Sequence, residues 1–498
     1  MSETAIARPA VAAPPSIGAL AKILVIPMVG LTVFVATMAM VPSDRTMLVG
    51  CSCATGTLVS LVIGIDRSRP RERRNLLLTI FSFAYTVFFV VPVFVFYIGE
   101  IGYIQDVGPT PSPIPIVPAD IARGTLAALL GYTVLLIGYV SPVGKLLSRI
   151  VPRMRREWSA EATLGIAMVT IPLGWSVIFA SQFRLIPQEL GNGVLGIVAS
   201  GTSFGIGLIA ICYQRYRSPA ALLLLALAIP PTMFVNFFTS SKMLFVMPLV
   251  MVVIVHVIIT RKLRVWWIVG FLIVMALFYP ASQFYRDLLY TSGDHRVFVR
   301  MIAQPSKVFG LVGQFLAAHN LGDYFQHGLD ATFRRLDGMG ILSVIIRDTP
   351  GRVPFQGGWS IAHVAIAYIP RVLWPGKPIL GTGQWITENY GFGPGIESAT
   401  GSTWIGELYM NFGWIGILVG MTCAGVFLRF LQESFLGLDA TIPAMLVGVV
   451  ALLTLSSTMG GDILTSVNTV VFALAPVMLA HFLVRTFTPR PARMPPPL

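Results

Sequence analysis

Charge is scarce in this chain. Only 11% of its 498 residues are Asp, Glu, Lys or Arg, against 55% apolar residues and a mean hydropathy of +0.77. A soluble globular domain, with about a quarter of its residues charged, is excluded on that balance. Cysteine is rare too. Cys51, Cys53, Cys212 and Cys423 all fall inside apolar runs and read as packing residues. Cys51 and Cys53 are two apart, which on a helix turns them about 200° away from each other and argues against a metal pair. No acid-x-acid pair occurs, which weakens the case for a divalent-metal glycosyltransferase site. The absence of Walker A and HExxH signatures disfavours ATPase and metallopeptidase readings. The flanking tails are too short for a catalytic domain, and no internal repeat is visible.

What the chain does have is long apolar runs. About 20 such residues cross roughly 30 Å of hydrocarbon as a helix. Twelve runs qualify: 17–41, 47–65, 76–103, 122–143, 162–180, 192–213, 219–238, 243–260, 265–285, 404–428, 441–458 and 463–484. The predicted fold is therefore all-α, a polytopic membrane protein of about 12 transmembrane helices. The first run lacks a clear cleavage site and reads as a retained anchor.

Basic residues gather in alternate short loops, "DRSRPRERR" (66–74), "KLLSRIVPRMRREW" (145–158), "QRYR" (214–217) and "RKLR" (261–264), while the intervening loops carry one basic residue or none. Positive residues are retained on the cytoplasmic side, so both termini are expected in the cytoplasm. The net charge of +13 then reports topology and attraction to anionic lipid, and no nucleic-acid partner is expected. Four regions follow: an N-terminal bundle of about nine helices (1–285), a large outer loop (286–403), about three C-terminal helices (404–485) and a proline-rich tail (486–498).

The outer loop is too long for a connector and is expected to be functional. Its apolar segments "ILSVII" (341–346) and "SIAHVAIAYI" (360–369) are too short to cross and suit re-entrant or interfacial helices. The loop holds ten basic and eight acidic residues. They read either as surface ion pairs, such as Arg335 with Asp337, or as an anion site, because the arginine fork matches phosphate oxygens. Arg286 and Arg371 each follow directly on an apolar segment and are expected at headgroup depth. Lys377 lies with Arg371 in "YIPRVLWPGKP" (368–378), where three prolines end the apolar segment. Glu407 in "STWIGELYMNFGWIG" (402–416) is an acid just inside a span, which either fastens the loop or acts as a base. Asn411 shares its helix face, and Tyr409 lies close by. Glu100 and Asp462 also fall at outer span ends. His363 is either a packing group or a base; His256 and His481, inside spans, read as packing.

The order "FRRLDGMGILSVI" (333–345), "GGWSIAHVAIAYIPRVLWPGKP" (357–378) and "STWIGELYMNFGWIGILVGM" (402–421) resembles bacterial O-antigen and oligosaccharide repeat-unit polymerases of the Wzy type, over about Asp330 to Gly420. The resemblance implies a GT-C-like integral-membrane glycosyltransferase of the inner membrane, active at the periplasmic face on undecaprenyl-diphosphate-linked repeat units, with no cofactor or metal. A chain-length regulator and a flippase are implied partners, besides membrane lipids. It further implies Glu407, or else His363, as the base and Arg371 as a catalytic cation. Arg286, Arg334, Arg335, Arg371 and Lys377 would bind the diphosphate, and Trp359, Trp374, Trp404, Tyr409 and Asn411 the glycan. An O-antigen ligase, a sugar transferase using lipid-monophosphate donors, and a transporter or flippase for lipid-linked sugars are the alternatives.

Overall fold

The computed structural model describes residues 43–70, 74–97, 116–150, 156–183, 194–237, 242–262, 336–367, 382–391, 401–437 and 439–487, with a few isolated positions besides. The elements among them are helical. In chain order these are α1 Asp44–Ser68, α2 Leu76–Phe89 with a π turn at Val93–Tyr97, α3 Pro118–Val140, α4 Pro142–Ile150, α5 Ala160–Gln182, α6 Val194–Tyr216, α7 Pro219–Phe237 and α8 Lys242–Thr260. Three short helices follow, α9 Gly338–Asp348, α10 Trp359–Ala367 and α11 Thr382–Asn389, and then α12 Trp404–Phe435, α13 Ile442–Ser457 and α14 Ile463–Phe487.

Ten of the twelve predicted spans coincide with helices, while 17–41 and 265–285 lie outside the described residues except for isolated positions. Among the described residues, seven helices are long and apolar enough to cross a membrane by length and composition: α1, α2 with its π turn, α3, α5, α7, α12 and α14. Their flanks carry bare apolar side chains, with Val140 81%, Ile137 62%, Leu223 61% and Phe482 63% exposed. That surface suits lipid and not water. The protein is a multi-pass membrane protein.

Local chemistry sets the helix ends. Ser43, Ser159 and Thr441 each accept from a backbone N–H of the first turn of α1, α5 and α13, and Pro118 opens α3, where its missing N–H costs nothing. The helices pack in two groups, α1, α2, α3 and α12 on one side and α5 to α8 on the other, with α13 and α14 touching both. The α3–α12 crossing is so close that a Cβ added at Gly425 would lie 2.0 Å from the Leu135 carbonyl oxygen. Gly425→Val is therefore expected to lower thermal stability in detergent by about 2 kcal/mol or more, read as a fall in Tm.

Backbone alternation brings the basic loops to one end. There Arg74 bonds the Arg261 carbonyl, Arg261 the Leu436 carbonyl, and Arg215 both Glu157 and the Ala440 carbonyl. The opposite end holds α9, α10 and α11. α9 is short, as the apolar run at 341–346 predicts, and is buried against α3 and α12. His481 accepts from Trp158 Nε1–H at 3.3 Å and stacks on its ring at 6.3 Å between centroids, and His256 packs on Trp267, as expected of packing histidines. A GxSxG run, Gly201 to Gly205, lies in mid-α6 against Thr170 and Ile171 of α5, so it forms no nucleophile elbow.

Candidate active site

The site grows from a break in α12. Phe412 (φ −138°, ψ 15°) and Gly413 (φ 61°, ψ −147°) leave helical geometry in the middle of "NFG". A straight helix would hold Leu408 and Gly420 about 18 Å apart. Instead the Leu408 side chain lies within 2.2 Å of where a Gly420 Cβ would stand, and its carbonyl lies 2.1 Å from the equivalent point at Gly416. The segment 404–411 thus folds back on the rest. Residues 414–435 are long enough to cross a bilayer alone, so the span expected at 404–428 is two pieces, and Glu407 sits on the first.

The break frees carbonyls that a continuous helix would have used. Two backbone amides of the preceding loop take them: Gln356 N–H donates to Met410 O at 2.9 Å and Gly357 N–H to Asn411 O at 3.2 Å. Gly357 and Gly358, at φ 57° and 89°, make the turn that presents these amides. The Asn411 side chain completes the clamp. Its oxygen accepts from Gly358 N–H at 2.9 Å, and its amide donates to Ser360 Oγ at 2.7 Å and to the Glu407 carbonyl at 2.8 Å.

Glu407 is wholly buried, at 0% exposure. Its Oε2 accepts from Ile463 N–H, the first residue of α14, at 2.5 Å. A helix N-terminus favours a negative charge there. The Ser360 hydroxyl also bears on this carboxylate, while Oε1 closes no hydrogen bond of standard geometry among the described residues. A buried polar atom left without a partner is costly and marks either a functional atom or a group that takes a partner later. Asp462 caps the same helix by accepting from Thr465 N–H, and it accepts from Thr382 Oγ1 at 2.5 Å, tying α11 to α14.

The remaining predicted residues separate clearly. His363 is buried, with the Trp359 ring edge-on at 4.0 Å, and burial lowers its basicity below that of ordinary histidine. Trp404 is buried and donates from Nε1 to Ser466 Oγ at 2.8 Å. Tyr409 is buried between Phe355 and Trp414. Trp359 and Trp374 are 41% and 39% exposed, and Trp359 stands 6.1 Å from Trp385. Arg286, Arg334, Arg335, Arg371, Lys377 and Glu100 lie outside the described residues.

Two loop arginines are consumed in structure. Arg347 chelates Asp348 through Nε and a terminal nitrogen at 2.8 and 3.2 Å, which raises its basicity, and Arg352 reaches the same carboxylate at 3.2 Å. Asp337 caps Gly340 N–H and accepts from the Tyr97 hydroxyl. Sequence reasoning missed Arg123. It is exposed near the start of α3, makes no ion pair among the described residues, and its charge acts on Tyr409. The signal was available, since an arginine so close to the start of a span is expensive unless it serves a cavity or partner. It also missed Ser360 and Gln356, whose roles depend on the helix break. No group of three or more His, Cys, Asp or Glu side chains arranged to hold a metal occurs among the described residues.

Residues 386–481 match the family model of the O-antigen polysaccharide polymerase Wzy. This segment is similar to Wzy-type polymerases. The Wzy segment begins in α11 and ends in α14, so it contains Glu407, Asn411, the helix break and Asp462. It bears out the resemblance read from "STWIGELYMNFGWIGILVGM". Comparison with curated proteins and with solved structures gives no match.

Proposed function

We propose that the protein joins undecaprenyl-diphosphate-linked oligosaccharide repeat units at the end of the bundle that holds Glu407. The Wzy match supports O-antigen polymerisation as the general activity. In the reaction, a hydroxyl at the non-reducing end of a new lipid-linked unit attacks the anomeric carbon of the growing chain. The bond from that carbon to the diphosphate oxygen breaks, undecaprenyl diphosphate leaves with the electron pair, and the hydroxyl proton passes to a base. Glu407 is that base.

The observation that carries this reading is the buried Glu407 carboxylate, oriented by Ile463 N–H through one oxygen, with the Ser360 hydroxyl near it and no hydrogen bond closed on Oε1 among the described residues. A carboxylate held in one rotamer needs no reorganisation when a hydroxyl arrives. The cations proposed for the diphosphate are Arg286, Arg334, Arg335, Arg371 and Lys377, and Arg123 joins them because it is exposed, makes no ion pair among the described residues and its charge reaches Tyr409. They stabilise the charge that grows on the leaving group. Trp359 and Trp374 offer exposed rings to sugar faces, whereas Trp404, Tyr409, Asn411 and His363 frame the site.

Charge sets the orientation: the basic end faces the cytoplasm of the inner membrane with both termini, and the loop 286–403 belongs to the periplasmic face. The resemblance to Wzy-type polymerases implies a flippase and a chain-length regulator as partners. The test is reconstitution with purified lipid-linked repeat units, with product length read as a ladder. Elongation is expected, and Arg371→Ala is expected to slow it about 100-fold without lowering Tm. Wild-type rates in that variant would remove Arg371 from the site. Transfer to lipid A core with no elongation would make the enzyme a ligase.

A further inference from the structure

At the basic end, opposite Glu407, a cavity of about 770 Å³ opens between α1, α3, α4 and α12. Five cationic side chains line it, Arg69, Arg74, Lys145, Arg261 and Arg429, against two carboxylates, Asp66 and Glu433. Both acids are already engaged. Glu433 pairs with Arg429 at 2.6 Å, and Asp66 accepts from Asn75 N–H and Thr79 Oγ1. The other four cations make no ion pair among the described residues.

Two of these cations are forced together. Arg74 donates to the Arg261 carbonyl at 2.7 Å and Arg261 to the Arg74 carbonyl at 3.3 Å, so backbone oxygens hold two like charges side by side with no carboxylate between them. Arg261 is only 6% exposed. The charge of Asp66 reaches it, but Asn75 and Thr79 already engage that carboxylate, and a buried cation without a directly paired counterion is costly. Buried donors also remain unused among the described residues, namely the Nε of Arg74 and the Nε of Arg429, whose guanidinium lies over the ring of Tyr139, a residue 2% exposed. The cavity's other wall is apolar, with Ile65 and Val140 48% and 81% exposed. An anion carrying a hydrocarbon chain satisfies both walls.

We infer that this cavity binds the phosphate headgroup of an anionic lipid, with the acyl or prenyl chain along Ile65 and Val140. The same phosphate chemistry could come from a soluble phosphate, and the test separates the two. Delipidated protein is titrated with phosphatidylglycerol, phosphatidylcholine or inorganic pyrophosphate, and binding is read by native mass spectrometry and thermal shift. Phosphatidylglycerol is expected to bind at least tenfold more tightly than phosphatidylcholine. The double variant Arg69→Gln with Lys145→Gln changes two exposed, unpaired side chains and is expected to erase that preference while keeping the basal Tm. Equal binding of the two lipids, or an unchanged preference in the variant, would overturn the inference. Pyrophosphate binding as tight as phosphatidylglycerol would overturn the lipid assignment in favour of a soluble phosphate. None of these readings uses glycan transfer, so they stand or fall apart from the polymerase proposal.

Discussion

Glu407→Gln is expected to leave the protein folded and to slow elongation by about 10²- to 10⁴-fold, the usual contribution of a general base. The substitution separates the two roles open to this residue. A glutamine carbonyl oxygen still accepts from Ile463 N–H, so the fastening of α12 to α14 survives. What glutamine cannot do is take a proton. Glu407→Ala removes both functions and leaves the Ile463 amide without its partner, so it is expected to cost about 1 to 3 kcal/mol of stability as well. Tm and elongation rate measured side by side decide between them. Near-normal elongation in Glu407→Gln would leave Glu407 as a fastening residue only.

Gly413→Ala carries the second large effect, and it acts on structure before chemistry. At φ 61° and ψ −147° an L-residue is strained by about 1 to 3 kcal/mol, and the new Cβ would meet the Phe355 ring at 3.2 Å. Relief requires a straighter helix. That would draw the carbonyls of Met410 and Asn411 back into the helix and release Gln356 and Gly357. The expected results are a lower Tm, faster proteolysis within residues 349–358 and loss of elongation. Gly437→Ala, where nothing lies within 4 Å of the added Cβ, is the matched control and is expected to be near neutral. Wild-type proteolysis and activity in Gly413→Ala would mean that the break is not needed for the site.

Both experiments bear on residues that could be read from the chain only in part. "STWIGELYMNFGWIG" marked Glu407 and Asn411 as neighbours on one helix face, and the Asn411 amide does reach the Glu407 carbonyl. Nothing in that string said that the helix breaks after Asn411, because glycine is common in membrane helices. The break follows from what Gly413 packs against, and Phe355 is 58 residues away. Arg347 and Arg352 look like phosphate ligands in a string of letters. Each is committed to Asp348, a choice set by short-range geometry among alternatives of similar composition. Arg123 was legible as a misplaced charge, yet its significance depends on Tyr409, which lies on a different helix.

The sequence by itself determined that this is a multi-pass helical protein, where ten of its helices lie, and which loops share the basic end. Length, hydropathy and charge are local properties, and a bilayer reads them one segment at a time. Tertiary structure alone decided that Glu407 is buried on the amide end of α14, that Gln356 and Gly357 bond a broken α12, and that Arg74 and Arg261 face one another across 187 residues of chain. Those relations join distant segments, and no local property of either segment specifies its partner.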